Sequence, residues 1–85
     1  MSYDYQTERP KLFTEDGVRT LMIAKKSIDY LLKLAGAVKY SSIKFGGLAD
    51  GDWMQMAVCD YLIETQEIRE ITGNVPGQHR VFVRV

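Results

Sequence analysis

The sequence contains only one cysteine, Cys59, and one histidine, His79, among its 85 residues. A single cysteine excludes an intrachain disulfide. One cysteine and one histidine are also too few ligands for a zinc site of the usual kind. No Ser–His–Asp arrangement can be argued around one histidine, and Cys59 has no basic partner nearby in the sequence to activate it. We therefore expect neither an enzyme nor a metal or cofactor site.

The sequence also lacks a long hydrophobic run and a secretion signal. No apolar stretch is long enough to cross a bilayer. The first ten residues, MSYDYQTERP, are polar and do not contain the basic and apolar regions of a signal peptide. These absences favour a cytoplasmic protein without a membrane partner, and the length favours one domain with a modest core.

Neither sign of charge dominates, because eleven Lys and Arg residues balance eleven Asp and Glu residues. This balance weighs against a strongly basic nucleic-acid-binding protein, whose affinity for phosphate comes from Lys and Arg. The two halves nevertheless differ. Residues 1–45 carry eight basic and five acidic side chains, a net charge of +3, and residues 46–85 carry three basic and six acidic ones, a net charge of −3.

The first thirteen residues show no sustained hydrophobic period. We predict that residues 1–13, with Tyr3 and Tyr5, form a flexible N-terminal arm. Two interpretations stay open: a disordered tail, or a strap that docks on a partner. The folded domain is expected over residues 14–85.

The first long helix is predicted at about residues 15–35. Thr14 is a good N-cap, and Gly36 can close the helix in the left-handed conformation. Phe13 and Val18 stand at the two positions of a hydrophobic staple. The predicted buried stripe consists of Leu21, Ala24, Ile28, Leu31 and Ala35, widened by Met22 and Leu32.

A short strand and a brief second helix are predicted next. In AVKYS, Val38 and Tyr40 alternate with polar residues, as in a half-buried strand. Ser41 or Ser42 can then cap a brief helix. The following GGLADGD has neither the spacing of a phosphate-binding loop nor the ligands of a calcium loop, so it is interpreted as a turn between helices.

A third helix is predicted to follow Asp50 or Asp52, and Asp52 with Gln55 has the spacing of a capping box. Its predicted buried face consists of Met54, Ala57, Val58, Tyr61, Leu62 and Thr65. Its predicted outer face consists of Asp52, Gln55, Met56, Cys59, Asp60 and Ile63.

The last twenty residues predict a β-hairpin. Ile68 and Ile71 suggest an imperfect first strand, and VPGQ has proline and glycine in the central positions of a type II turn. The second strand alternates apolar and polar residues. We predict that Val81, Val83 and Val85 point inward and that Arg80, Phe82 and Arg84 point outward.

The order of these elements resembles a winged helix-turn-helix domain over about residues 14–85. The most specific part is an apolar third helix that ends in Leu62, Glu64, Gln66 and Ile68 and turns directly into a hairpin. Gln66 stands where the family usually has a left-handed glycine. The resemblance implies an α+β winged-helix fold, with three helices packed on a small antiparallel sheet and a C-terminal β-hairpin wing.

The first functional hypothesis is a small winged-helix DNA-binding, transcription-regulatory protein that contacts duplex DNA mainly through the wing. Arginines on both sides of an aromatic ring suit phosphate or base stacking. The competing interpretation is a solvated sheet face with cross-strand Arg–Glu pairs. The candidate nucleic-acid-binding residues are Arg69, His79, Arg80, Phe82 and Arg84 in the wing, Lys25 and Lys26 in the first helix, and Gln55 in the third.

The second hypothesis is a protein-interaction module that does not bind DNA, acting as a homodimer or as a subunit of a complex. The outer face of the third helix is acidic, which opposes contact with a polyanion. An apolar patch with a rim of carboxylates is typical of a protein-binding surface. The candidate residues are Met56, Cys59, Asp60 and Ile63. Alternatively, the wing or the arm covers Met56 and Ile63.

Overall fold

A computed structural model describes residues 3–46, 52–73, 75 and 79–85. Within them the chain forms three α-helices and one three-stranded antiparallel sheet. The helices are α1 (Tyr5–Glu8), α2 (Glu15–Ala35) and α3 (Asp52–Glu64), and the strands are β1 (Val38–Lys39), β2 (Ile68–Glu70) and β3 (Val81–Arg84). The predicted α+β class with a C-terminal hairpin, β2–β3, is confirmed, and the arrangement is consistent with a winged helix.

The bounds predicted for the first long helix are confirmed by α2. The Thr14 hydroxyl accepts a hydrogen bond from the Gly17 N–H at 3.1 Å, as an N-cap does. Gly36 ends the helix at φ 77°, and its N–H donates to the Leu32 carbonyl at 2.8 Å. The buried stripe is rotated from the predicted one, since Met22 and Ala35 are exposed. Its buried members are Gly17, Thr20, Ala24, Ile28 and Leu32.

The N-terminal segment differs from the expected loose arm. It forms α1 and then a 3-10 helix, Arg9–Phe13. Leu12 is fully buried in the core, and Glu8, four residues earlier, is also buried. The segment lies so close to the start of α2 that a Cβ on Gly17 would stand 2.0 Å from the Lys11 carbonyl oxygen. Long-range packing therefore orders a segment that shows no hydrophobic period.

The predicted second helix is a single 3-10 turn, Tyr40–Ser42, that follows β1. Neither expected serine cap applies, because the turn has no side-chain cap hydrogen bond and Ile43 is already extended. Ile43 and Phe45 are nevertheless buried in the core. The predicted cap at Asp50, the side chain of Asp52 and most of GGLADGD lie outside the described part of the chain.

The end of α3 has the left-handed residue that the resemblance implies. Gln66 has φ 61°. The Glu67 N–H donates to the Leu62 carbonyl and the Gln66 N–H donates to the Ile63 carbonyl, both at 3.0 Å. This pair of hydrogen bonds is a Schellman motif, here without the usual glycine.

The central strand of the sheet, β3, faces the opposite way from the prediction. It lies between β1 and β2, and Phe82 stands opposite both Val38 and Glu70. Directly opposed residues share a sheet face, so Phe82 enters the core with Val38. Phe82 is fully buried, whereas Val81 and Val83 are half-buried and Val85 is exposed. The prediction that the valines point inward was therefore wrong. Alternation sets a period of two, but it does not say which of the two sets of side chains faces the core.

The core lies between α2, α3 and the inner face of the sheet. Its central side chains are Leu12, Ala24, Ile28, Leu32, Val38, Phe45, Met54, Val58, Leu62, Ile68 and Phe82. No helix in the described part of the chain is both long and apolar enough to cross a membrane.

Candidate functional site

The outer face of α3 is covered by residues 3–13, which we call the N-terminal strap. The Tyr3 hydroxyl donates a hydrogen bond to Asp60 Oδ2 at 2.6 Å, and the Tyr5 hydroxyl donates to Glu64 Oε1 at 2.7 Å. Burial and the hydrogen bond to Asp60 raise the pKa of Tyr3 well above its usual range. The acidic groups expected to face solvent or a partner are thus engaged by the protein's own donors.

Arg9 fixes the strap to the end of α3. Its Nε and Nη2 donate to the two carboxylate oxygens of Glu64 at 3.0 and 2.7 Å. The guanidinium also lies over the rings of Phe13 and Tyr61, which meet edge to face with centroids 5.6 Å apart. The hydrogen bonds from Arg9 and then Tyr5 lower the pKa of Glu64 to about 2. Phe13 therefore packs on α3 through Tyr61.

Arg80 is the centre of an ion-pair network between α3 and the hairpin. Its Nη2 donates to Asp60 Oδ1 at 2.7 Å and to Glu70 Oε1 at 2.9 Å. The guanidinium lies over the Phe82 ring, 5.1 Å from its centroid. Arg80 is only 9% exposed. The predicted outward position of Arg80 was therefore wrong, since two carboxylates of the protein draw its side chain inward.

The network continues across the hairpin. The Thr72 hydroxyl donates to Glu70 Oε2 at 2.7 Å and accepts from the Val81 N–H at 3.2 Å. Burial alone would raise the pKa of Glu70, but the hydrogen bonds from Arg80 and Thr72 outweigh it and the pKa is lowered. Strap, α3, β2 and β3 are thus joined by one set of polar contacts.

The predicted protein-binding patch on α3 is not a free surface. Cys59 is fully buried, so its assignment to the outer face was wrong. Burial raises the pKa of its thiol to about 12, which keeps it neutral near pH 7. Met56 and Ile63 are half-buried and pack against the core. The alternative that the arm covers this face agrees with the contacts of Tyr3 and Tyr5.

The candidate nucleic-acid-binding residues of the hairpin do not form one surface. Phe82 is fully buried, which contradicts its predicted exposure. Arg84 is exposed and forms a 3.5 Å ion pair with Asp29 of α2. Arg69 is exposed on the other face of the sheet, and His79 is exposed before β3. The structure thus separates the arginines that the sequence placed together.

The candidate nucleic-acid-binding residues of the helices do not share one free surface either. Lys25 forms a 2.6 Å ion pair with Glu67, which raises the pKa of the lysine and lowers that of the glutamate. Gln55 accepts a hydrogen bond from the Tyr40 hydroxyl at 3.3 Å and is half-buried. Lys26 is exposed and forms no ion pair with any described residue.

Ion pairs join the two halves of the chain. Arg9 and Lys25 of the first half pair with Glu64 and Glu67 of the second, and Asp29 of the first half pairs with Arg84. The cations left without an ion pair to any described residue are Lys26, Lys33, Lys39, Lys44 and Arg69.

Two of these cations line a cavity of about 340 Å³ between α2 and residues 42–44. Lys26 and Lys44 stand at it. The Ser27 hydroxyl, also in the lining, accepts a hydrogen bond from the Lys44 N–H at 3.0 Å and so ties the loop to α2. The apolar lining comes from Ile23, Tyr30 and Leu31. We call this the α2 cavity; its chemistry suits an apolar group that carries negative charge nearby.

Sequence reasoning raised the cover of α3 by the arm as an alternative, but it identified neither the individual strap contacts nor the α2 cavity. Arg9 and Glu64 are 55 positions apart, so no local spacing connects them. Tyr3 and Tyr5 carried the only signal, because tyrosine hydroxyls need a partner when the ring is buried. Lys44 and Ser27 meet only once the chain has turned back along α2.

Comparison of the chain with protein-family models, with curated proteins and with solved structures finds no significant match. Within the described residues, no group of three or more His, Cys, Asp or Glu side chains could hold a metal ion. Because a fold does not fix a function, the function must be argued from these surfaces.

Proposed function

We propose that this protein is a small non-enzymatic protein-binding module on a winged-helix scaffold, and that it does not read DNA through its third helix. The main support for the proposal is that the N-terminal strap covers the outer face of α3. Tyr3, Tyr5 and Arg9 engage Asp60 and Glu64 at the face where a winged helix would meet the major groove. Duplex DNA could reach that face only after the strap had left it.

Electrostatics supports the same proposal. If the strap left α3, it would uncover the carboxylates of Asp60 and Glu64, which repel phosphate. Arg80 cannot compensate, because it already pairs with Asp60 and Glu70 and is nearly buried. Opening the strap therefore makes the α3 face more acidic and less suited to DNA.

The open side of α2 offers a better contact surface. Met22, Tyr30 and Leu34 are 58%, 64% and 67% exposed. They follow one another at multiples of four residues and so lie along one side of the helix. Apolar side chains in such a row, with Lys26 between them, are typical of a surface that binds protein. The proposed interaction surface is this side of α2, in place of α3.

The test is a titration of the purified protein with random duplex DNA at two salt concentrations. We expect no salt-dependent binding to the duplex, because the exposed cations do not form one continuous phosphate-binding surface. DNA-binding proteins lose affinity with a log–log slope of about −0.9 per phosphate contacted. A slope of several units for the wild type would overturn the proposal.

DNA binding remains the second candidate because of two cations on the outer face of the sheet. Lys39 stands opposite Val81 and Arg69 opposite Val83, so both basic side chains project from the same face. Neither forms an ion pair with a described residue. If DNA binds, Lys39→Glu and Arg69→Glu should weaken it, whereas Arg80→Met should act only through stability.

A further inference from the structure

We infer that the α2 cavity is a docking point for an acidic peptide segment of a partner protein, which inserts one apolar side chain between Lys26 and Lys44. This inference rests on the proposed protein-binding function and names the partner's chemistry. It goes beyond the proposal because it fixes where on α2 the partner is anchored and what charge its segment carries.

The size of the cavity fits a side chain better than a large cofactor. Its volume of about 340 Å³ is at the lower end of the range of about 300–1,000 Å³ that ligand sites occupy. Its walls at Ile23, Tyr30 and Leu31 are apolar, so an inserted aliphatic or aromatic group would gain from burial. In many interfaces a few side chains buried in pockets supply most of the affinity.

Charge complementarity selects an acidic segment. Lys26 and Lys44 both line the cavity but come from different elements, one from α2 and one from the loop after the 3-10 turn. Neither has an ion-pair partner among the described residues. Carboxylates on either side of the anchor would meet both ammonium groups, whereas a basic segment would be repelled.

The loop that supplies Lys44 is fixed in place before any partner binds. The backbone N–H of Lys44 donates a hydrogen bond to the Ser27 hydroxyl. Two residues later, Gly46 has φ 86° and lies so close to Ile23 that an added Cβ would stand 2.6 Å from Ile23 Cδ1. A preorganised loop lowers the entropy that binding must overcome.

A peptide is favoured over a free small molecule because the apolar surface extends past the cavity. Leu34 lies one turn beyond Tyr30, and Met22 lies one turn before Lys26. Both are strongly exposed. A segment lying along α2 would contact this whole row, whereas an isolated acid would contact only the cavity.

The experiment begins with selection of a displayed random-peptide library on the wild-type protein, with counter-selection on Ser42→Trp. Ser42 lines the cavity and is exposed, so tryptophan there would fill the opening. We expect enriched peptides to carry one aromatic or aliphatic residue flanked by Asp or Glu. Ser41→Trp is the matched control, because Ser41 belongs to the same turn but does not line the cavity. It should retain the selected peptides.

The most enriched peptide is then synthesised with a fluorescent label and its affinity measured by anisotropy. Lys26→Glu and Lys44→Glu should each weaken binding about tenfold, because each replaces an attraction by a repulsion. Lys33→Glu, the same change on α2 outside the cavity, should weaken it about twofold or less. Amide NMR signals of Ser27 and Tyr30 should shift on binding.

Several results would overturn the inference. In the selection, they are a folded wild type that enriches no peptide, or enriched peptides that are basic. In the affinity measurements, they are an equal loss of peptide affinity in Lys33→Glu and Lys26→Glu, or indole-3-acetate that binds as tightly as the peptide. The last result would assign the cavity to a small carboxylate. The DNA titration is separate: salt-dependent DNA binding overturns the proposed function, and peptide failure without DNA binding overturns only the peptide site.

Discussion

The outer faces of α3 and α2 both combine charged and apolar side chains, but the first is covered by other parts of the chain and the second is exposed. On α3, acidic side chains beside apolar ones are paired with Tyr3, Tyr5, Arg9 and Arg80. On α2, Lys26 stands beside a row of apolar side chains that stays exposed. The amphipathic pattern alone does not say which face is available, because availability depends on what the rest of the chain lays over it.

The difference explains why the third helix is a poor candidate for recognition. Its carboxylates have partners within the chain, so exposing them would break hydrogen bonds before any new contact formed. The lysines at the α2 cavity have no such partners among the described residues. A partner that binds there gains contacts without first breaking ion pairs.

The largest expected effect comes from removing the charge at the centre of the α3 network. Arg80→Met leaves Asp60 and Glu70, each 22% exposed, without their shared cation. We expect a loss of about 3 kcal/mol in the free energy of unfolding, the lower end for a broken buried pair. Urea denaturation measures it.

Arg84→Met is the matched control for Arg80→Met. Arg84 lies four residues after Arg80, at the end of β3, and its pair with Asp29 is about half exposed with a 3.5 Å separation. Such a pair contributes about 0–1 kcal/mol. Equal losses from the two variants would show that the two arginines do not differ as their burial indicates.

A second variant separates the strap from α2. Gly17→Ala places a Cβ 2.0 Å from the Lys11 carbonyl oxygen and 2.6 Å from Leu12 Cα, so the backbone must move. We expect a loss of about 1–3 kcal/mol in unfolding free energy and faster amide exchange in the strap. Gly73→Ala, with nothing within 4 Å of the added atom, should cost about 0.5 kcal/mol or less. An unchanged Gly17→Ala protein would contradict the close approach.

The end of α3 offers a stabilising change. Gln66 holds φ 61°, a conformation that glycine adopts without the steric cost of a Cβ. Gln66→Gly should therefore raise the free energy of unfolding by about 0.5–1 kcal/mol, despite greater freedom in the unfolded chain. Thr65→Gly, one residue earlier, should destabilise the protein. If both variants were destabilised equally, the left-handed conformation at Gln66 would be ruled out.

The smallest expected effect is the response of the strap to acid. Arg9 and Tyr5 lower the pKa of Glu64 from 4.5 to about 2. A lowered folded-state pKa gives stability that is present above pH 4.5 and is lost as pH falls toward 2. The difference in thermal midpoint between wild type and Glu64→Gln should therefore shrink over that range. Glu15→Gln, which alters an exposed pair with Arg19, provides the comparison. A difference that grew with acid would contradict the assignment.

Much of the fold followed from local sequence. Thr14 and Gly36 mark the ends of α2 because capping needs only groups within a turn of the helix end. The hairpin and the left-handed position at Gln66 were also predictable from a few neighbouring residues. The 3-10 turn at Tyr40–Ser42 was not, since Ile43 is buried from extended backbone and Phe45 is buried outside any helix.

The candidate site was much less predictable. Each of its main contacts joins residues far apart in the chain, such as Tyr3 with Asp60 and Arg9 with Glu64. Local periodicity cannot indicate such pairs, because it records which side of an element is apolar and not which element covers it. The burial of Cys59 and Arg80 follows from those covering elements.

Strand β3 shows most clearly what each level determined. The sequence by itself determined that VFVR alternates, because side chains of a strand point to opposite faces in turn. It did not determine which face enters the core, since Val81, Phe82 and Val83 are all apolar. Tertiary structure decided it, by pairing Phe82 with Val38 over the core and leaving Arg80 to meet Asp60 and Glu70. The ring of Phe82, with the paired guanidinium of Arg80 over it, fills more of the core than a valine would. The smaller valines Val81 and Val83 therefore lie on the other face of the sheet.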